Sequence, residues 1–144
     1  MKFITDVLKP YVDTHYRTLS DMENTGLMGS SLGALITHFG FFQHSEVFGK
    51  AAVFSPSYWF SDSIWTFTEA TAQSQGKMLY QTVGGKERVS TVENMQQMHE
   101  LLVSCGFTHL SVISKVVRGA EHNEIFWRNE FENAYFWLFS KYAH

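Results

Sequence analysis

Cysteine is almost absent from this chain of 144 residues, and Cys105 stands alone, so no internal disulfide can form. Its setting, Leu101-Leu102-Val103-Ser104-Cys105-Gly106, reads as the buried end of a helix rather than a reactive thiol. A basic field is missing too. Lys and Arg number 11 against 14 Asp and Glu, the net charge is −3, and no Lys/Arg cluster interleaves with aromatics, which argues against nucleic acid as a partner. No apolar run approaches the ~18 residues of a membrane span, so no membrane partner is expected. The N-terminus, Met1-Lys2-Phe3-Ile4-Thr5-Asp6, meets an acidic residue too early for a signal peptide. A soluble, cytoplasmic protein is the expectation. Repeats and low-complexity stretches are also absent. What is abundant is apolar material, 44% hydrophobic and 16% aromatic, enough for residues 1–144 to fill one core as one domain.

Against that background one segment carries chemistry: Gly29-Ser30-Ser31-Leu32-Gly33, between the apolar run ending in Leu27-Met28 and the helix-like Ala34-Leu35-Ile36-Thr37-His38-Phe39. Glycines two residues either side of a serine at a strand-to-helix junction describe a nucleophile elbow, a turn expected to exclude side chains at both flanks and to lift the serine hydroxyl above the sheet. Ser31 is the candidate nucleophile. Leu35, Ile36 and Phe39 fall on one face of the helix that follows.

The rest of the chain alternates between strand and helix. Residues 3 to 17 place Phe3, Ile4, Val7, Leu8, Tyr11 and Val12 at helical spacing, and Pro10 predicts a kink. Residues 24 to 28 read as the elbow strand, and the elbow helix should end near His44. Lys50 to Phe54 reads as a second strand closed by Ser55-Pro56-Ser57, residues 63 to 74 as a short helix, and Lys77 to Val83 as a third strand ended by Gly84-Gly85. A helix from Thr91 to Ser104 buries Val92, Met95, Met98 and Leu102, with Ser90 or Thr91 as its cap; Leu110 to Val117 is strand-like. From Asn123 to Lys141 a final helix places Trp127, Phe131, Ala134, Tyr135 and Leu138 on one stripe. The fold class is therefore α/β, a parallel sheet of about four strands covered by helices on both faces.

In such sheets the reactive groups lie beyond the carboxyl ends of the strands. A serine hydroxyl needs a base, and of seven histidines His38 and His44 lie on the elbow helix, His99 is mid-helix, His109 begins a strand and His144 is terminal. Only His122, in Gly119-Ala120-Glu121-His122-Asn123-Glu124, falls in a loop just past a strand end. The same rule nominates Glu87, after the third strand, as the carboxylate that orients the imidazole, with Asp62 and Glu121 as substitutes. The backbone N–H of Leu32, at a helix start, is the oxyanion donor. Ser30 beside the nucleophile, and Tyr58 and Trp59 from the aromatic cluster Tyr58-Trp59-Phe60 at the second strand's end, are the substrate-binding candidates. Neither a metal nor another cofactor is implied.

The sequence resembles the esterase family of α/β hydrolases that includes enterochelin and salmochelin esterases, S-formylglutathione hydrolase (esterase D), feruloyl esterases and the antigen 85 mycolyltransferases. The likeness is carried by Leu8-Lys9-Pro10-Tyr11-Val12 through His15-Tyr16-Arg17, by Gly29 to Gly33, by Phe54-Ser55-Pro56-Ser57-Tyr58-Trp59, and by Gly119 to Glu124 with Trp127. It is closest to the siderophore-esterase-like branch, and it implies that Ser31 and His122 are catalytic and that the substrate is a small-molecule ester. It also implies that this chain corresponds to the C-terminal half of a longer fold. The earlier strands and the loop supplying a second oxyanion donor have no counterpart here, and Ala34 stands where a glycine is common after the elbow. A serine carboxylic-ester hydrolase of short-chain or aryl esters is the leading reading, and a weakly active or non-catalytic lobe acting as an interaction module is the alternative. Without those strands the elbow strand becomes a sheet edge, and association with a second copy, a homodimer covering that edge, is expected.

Overall fold

The computed structural model describes residues 1–140. Four strands, β1 (Gly26–Ser30), β2 (Lys50–Phe54), β3 (Met78–Gly84) and β4 (Val112–Val117), pair in parallel in the order β1-β2-β3-β4. Strand order equal to chain order has a consequence. Right-handed crossovers that all step the same way put their helices on one face. Accordingly α2 (Leu32–Gln43), α3 (Ser63–Thr71) and α4 (Val89–Ser104) share a core with Ala51, Val53, Leu79 and Val112. The opposite face, Ala52, Phe54 and Tyr80, is covered by Ala134 and Leu138 of α5 (Glu124–Phe139). Both faces of the sheet are thus covered, by three helices on one and one on the other. β2 is buried on both sides, which its unbroken run Ala51-Ala52-Val53-Phe54 foretells.

Several boundaries move from their sequence-based positions for local reasons. At the N-terminus a π-helical turn over Ile4–Leu8 runs into α1 (Lys9–His15), and the Lys9 N–H reaches back five residues to the Ile4 carbonyl. That wider turn accommodates Pro10, which has no N–H to offer Asp6. The elbow strand starts two residues later than expected, because the Asp21 side chain caps a 3₁₀ turn over Met22–Asn24. α4 starts at Val89, ahead of Thr91, so neither Ser90 nor Thr91 caps it; Thr91 is buried in its first turn. Residues 108–111 form a turn in which the Thr108 N–H donates to Ser111 Oγ, so His109 precedes β4 rather than beginning it.

The stripe predicted for the last helix holds at Ala134 and Leu138 and is displaced by one residue at Trp127 and Phe131. The buried positions of α5 are Phe126, Glu130, Ala134 and Leu138, whereas Phe131 and Tyr135 are exposed. Glu130 is drawn inward because the Tyr80 hydroxyl donates to it at 2.8 Å and the Lys115 ammonium lies at 2.9 Å, so a charged residue takes a core position that its type does not advertise. The expected end of this helix, Lys141, and His144 lie outside the described residues. Among the described residues β1 pairs on one side only, with β2. Beside its open edge lies a groove of about 720 Å³ between the N-terminal helical segment and α5, where Leu8, Leu27, Tyr135 and Phe139 meet. Among the described residues no helix is long and apolar enough to cross a membrane.

Candidate active site

Each strand delivers one loop to the same end of the sheet, and the four loops together build a single constellation. After β1 the chain turns sharply at Ser31, whose φ of 56° and ψ of −121° lie in a region that side-chain-bearing residues rarely adopt. The Ser31 N–H holds the turn to β2 by donating to the Phe54 carbonyl at 2.9 Å. Gly29 is required for space, since a Cβ there would sit 2.3 Å from the Gly33 carbonyl oxygen and 2.6 Å from Thr37 Oγ1. Gly33 is different. A Cβ at that position would meet nothing within 4 Å, so only one of the two flanking glycines is sterically demanded.

After β4, the loop through Ala120 presents His122, and His122 Nε2 lies 3.0 Å from Ser31 Oγ. After β3, Gly84-Gly85-Lys86-Glu87 turns back on itself, with the Glu87 N–H donating to the Gly84 carbonyl at 3.1 Å. This turn is pressed against the His122 loop. The Lys86 N–H donates to the Ala120 carbonyl at 2.9 Å, and a Cβ on Gly84 would collide with that same carbonyl at 2.5 Å. The contact brings Glu87 Oε2 to 2.7 Å from His122 Nδ1.

Glu87 is not a solvated loop charge. Its side chain is 1% exposed, and its carboxylate accepts from the Gly84 N–H at 2.8 Å and from the Ser55 hydroxyl at 2.5 Å, besides facing the imidazole. Those donors offset the cost of burying the charge. Asp62 merely precedes α3, and Glu121 turns to Lys86 at 3.4 Å; among the described residues neither hydrogen-bonds His122. Leu32 opens α2, so its N–H has no acceptor within the helix and sits at the positive end of the helix dipole.

The loop after β2 contributes more than an aromatic cluster. Ser55 is fully buried at a φ of 50°, donates to Glu87 and accepts from Trp127 Nε1 at 2.8 Å. The Trp127 ring in turn stands edge-on to His122, centroids 5.1 Å apart. Ser57 Oγ lies 3.5 Å from Ser31 Oγ. The sequence reading counted these three residues in the family likeness but gave none of them a place in the site, Trp127 because its helical spacing fitted a core stripe. The strand-end rule that located His122 and Glu87 applies equally to Ser55 and Ser57, and Trp127 follows one turn behind His122.

The aromatic triplet divides. Tyr58 is wholly buried, its hydroxyl 3.0 Å from His38 Nδ1 and donating to Gln81 Oε1 at 3.3 Å, so it anchors the loop from below and does not line the cleft. Burial raises the Tyr58 hydroxyl pKa and pushes His38 down to about 3, so His38 is a neutral structural group. Trp59 does line the cleft of about 430 Å³ that holds Ser31, Glu87 and His122, together with Lys86, Arg88 and Thr91. Ser30 ends β1 and is not among the residues lining it.

A parallel sheet with helices on both faces and a serine in a strained turn between strand and helix places the chain in the α/β-hydrolase fold class. The chain belongs to the esterase family: the family described as "Putative esterase" matches residues 1–135. It is 27% identical over 145 residues to the uncharacterized protein YbbA of Bacillus subtilis (strain 168), a match covering 96% of this chain and 58% of that one. Enterochelin esterase from Shigella flexneri shares its fold with a TM-score of 0.83 at 19% identity, over 99% of this chain and 37% of the larger one. BES protein from Bacillus cereus does so with a TM-score of 0.76 at 21% identity, over 95% and 52% respectively. The chain therefore spans between about a third and three fifths of the length of these relatives.

Proposed function

We propose that this chain is a serine carboxylic-ester hydrolase acting on short-chain or aryl esters. The observation that carries the reading is the relay Ser31 Oγ, His122 Nε2, His122 Nδ1 and Glu87 Oε2, with separations of 3.0 and 2.7 Å at its two hydrogen bonds. In this reading Ser31 Oγ attacks the ester carbonyl carbon while its proton passes to His122 Nε2, and the carbonyl oxygen becomes an oxyanion held by the Leu32 N–H. Collapse of the tetrahedral intermediate breaks the ester C–O bond, and His122 returns the proton to the leaving alkoxide. Water then attacks the acyl-Ser31 ester by the same route and releases the acid. Glu87 holds the imidazole with Nδ1 protonated and stabilises the imidazolium. Trp59, beside Ser31, supports an aryl group in the substrate.

The test is labelling with a fluorophosphonate, mass mapping of the adduct, and p-nitrophenyl acetate hydrolysis by the wild type and by Ser31→Ala. The adduct is expected on Ser31, and the substitution should lower turnover about 10⁴-fold or more. Absence of the adduct, or turnover indifferent to the substitution, overturns the reading.

A second reading is a weakly active lobe that works as an interaction module: the Leu32 N–H is the one oxyanion donor identified among the described residues. A single oxyanion donor in place of two costs about 10²–10³ in turnover. The open edge of β1 supports the further proposal of a homodimer. Tyr135 and Phe139 line the groove beside that edge and Phe131 continues their row along α5, with centroids 6.1 and 5.3 Å apart, and a second copy would cover both features. Sedimentation of a monomer at micromolar concentration counts against it.

A further inference from the structure

α2 has two apolar faces. One, through Ala34, Thr37, His38, Phe41 and Phe42, is buried against the sheet and its neighbours. The other is Leu32, Leu35, Ile36 and Phe39, the i, i+3, i+4, i+7 stripe that normally marks a core-facing surface. Here it lines an open groove of about 770 Å³ between α2 and α3, with Phe60 and Phe67 opposite. Leu32 and Ile36 are about half exposed, and the Phe39 and Phe67 rings, 4.7 Å apart, form part of its wall.

The groove begins where the chemistry is. Leu32 is the residue after Ser31, and Phe60, in the groove, stands against Trp59, in the catalytic cleft, with centroids 5.9 Å apart. The two depressions differ in kind. The catalytic cleft is edged by Lys86, Arg88 and His122, whereas the groove lining is mostly aliphatic and aromatic.

We infer that the groove between α2 and α3 is the acyl subsite of the Ser31 site, and that it takes esters of extended apolar acids. The inference rests on the esterase reading above and changes its acyl half, from short-chain acids to longer apolar ones, while an aryl group is kept on the alcohol half. An ester carbonyl bonded to Ser31 Oγ has two further substituents, the acyl chain and the leaving oxygen. The leaving oxygen must receive its proton from His122, which lies on the charged cleft. With the oxyanion on the Leu32 N–H, the acyl chain points to the other side of Ser31, where the Leu32 side chain opens the groove. The alcohol half then meets Trp59 and the cationic rim. Apolar burial along the stripe favours longer chains over acetyl.

The experiment is a series of p-nitrophenyl esters from acetate to decanoate, kept below their micelle concentrations, with wild type, Ile36→Asp and Phe67→Ser. Wild-type kcat/KM should climb about twofold per methylene, half the ~fourfold of a fully buried CH₂ because the groove is open. Both substitutions should flatten that slope, each variant being checked for retained helical circular dichroism. A flat wild-type series alongside Ser31-dependent acetate hydrolysis overturns the acyl subsite and leaves the esterase reading standing. A slope that neither substitution changes also overturns it. If Ile36→Asp instead converts a dimer to a monomer without altering the slope, the stripe is an interface and the subsite is rejected. If no ester is hydrolysed and Ser31 takes no fluorophosphonate, the esterase reading fails and the subsite with it.

Discussion

The carboxyl end of the sheet and the free edge of β1 belong to the same four-stranded sheet, yet they are finished to different degrees. At the carboxyl end, Ser31, Ser55, Glu87 and His122 come from the loops after the four strands and satisfy one another within 2.5 to 3.0 Å. Among the described residues no buried side-chain nitrogen or oxygen lacks a partner. Along the β1 edge the situation reverses: among the described residues the strand pairs on one side, and Leu8, Leu27, Tyr135 and Phe139 line a groove that none of those residues fills. The difference is one of interaction range. Short, directional hydrogen bonds can be closed by a few loop residues, whereas a sheet edge needs another extended segment along its whole length.

That comparison is sharpened most by removing the buried carboxylate. Glu87→Ala should lower kcat by about 10³–10⁴-fold, measured with p-nitrophenyl acetate, because the imidazole loses the group that orients it. A loss below tenfold would show that the closed network is structural only. Ser55→Ala removes one of the donors to Glu87 and strands the Trp127 N–H, and it should destabilise the fold by about 1–3 kcal/mol in urea titration. Its kcat should fall by about tenfold. An unchanged kcat would detach Ser55 and Trp127 from the proposed Ser31–His122–Glu87 relay.

A third prediction concerns the support beneath the site. His38 is buried neutral, with Nε2 2.8 Å from Thr68 Oγ1 and a pKa held near 3 by burial. Its folded pKa is depressed, so the unfolded chain takes up the proton first as pH falls through about 6.5. Stability should therefore be lost from that pH downwards, by about 2 kcal/mol at pH 5, and His38→Gln should weaken the dependence in thermal unfolding. Identical pH profiles for the two proteins would exclude His38 as the source. The smallest effect on chemistry is expected at the open edge. The double substitution Phe131→Lys with Tyr135→Lys should leave ester turnover within about twofold while abolishing association in sedimentation, since exposed substitutions away from the site cost little. A collapse of turnover would show that the edge and the site are coupled after all.

Much of this architecture is legible in the residues. The turn at Ser31, the alternation of strands and helices, and the rule that loops at strand carboxyl ends carry chemistry lead to Ser31, His122 and Glu87, which the structure brings together. Less visible were the residues whose type misdirects. Glu130 is charged and buried, Tyr58 is aromatic and anchors a loop, and Trp127 fits a helical stripe but turns its N–H to Ser55. Leu35, Ile36 and Phe39 do share a face, as their spacing says, but helical spacing does not say what that face meets, and here it lines the groove between α2 and α3.

The division follows from what each kind of information contains. Local sequence is enough for the strained turn at Ser31, where Gly29 leaves room for a close approach, and for the period that separates strand from helix. It also orders the four loops along the chain. Only the tertiary structure decides which loops touch: the Gly84 backbone packs on the Ala120 carbonyl, and through that contact Glu87 loses solvent and gains His122. The same holds for α2, one apolar face of which closes on the sheet while the other stays open beside Ser31. Burial and partnership depend on residues distant in sequence, and their arrangement is set by packing rather than by the periodicity of any single segment.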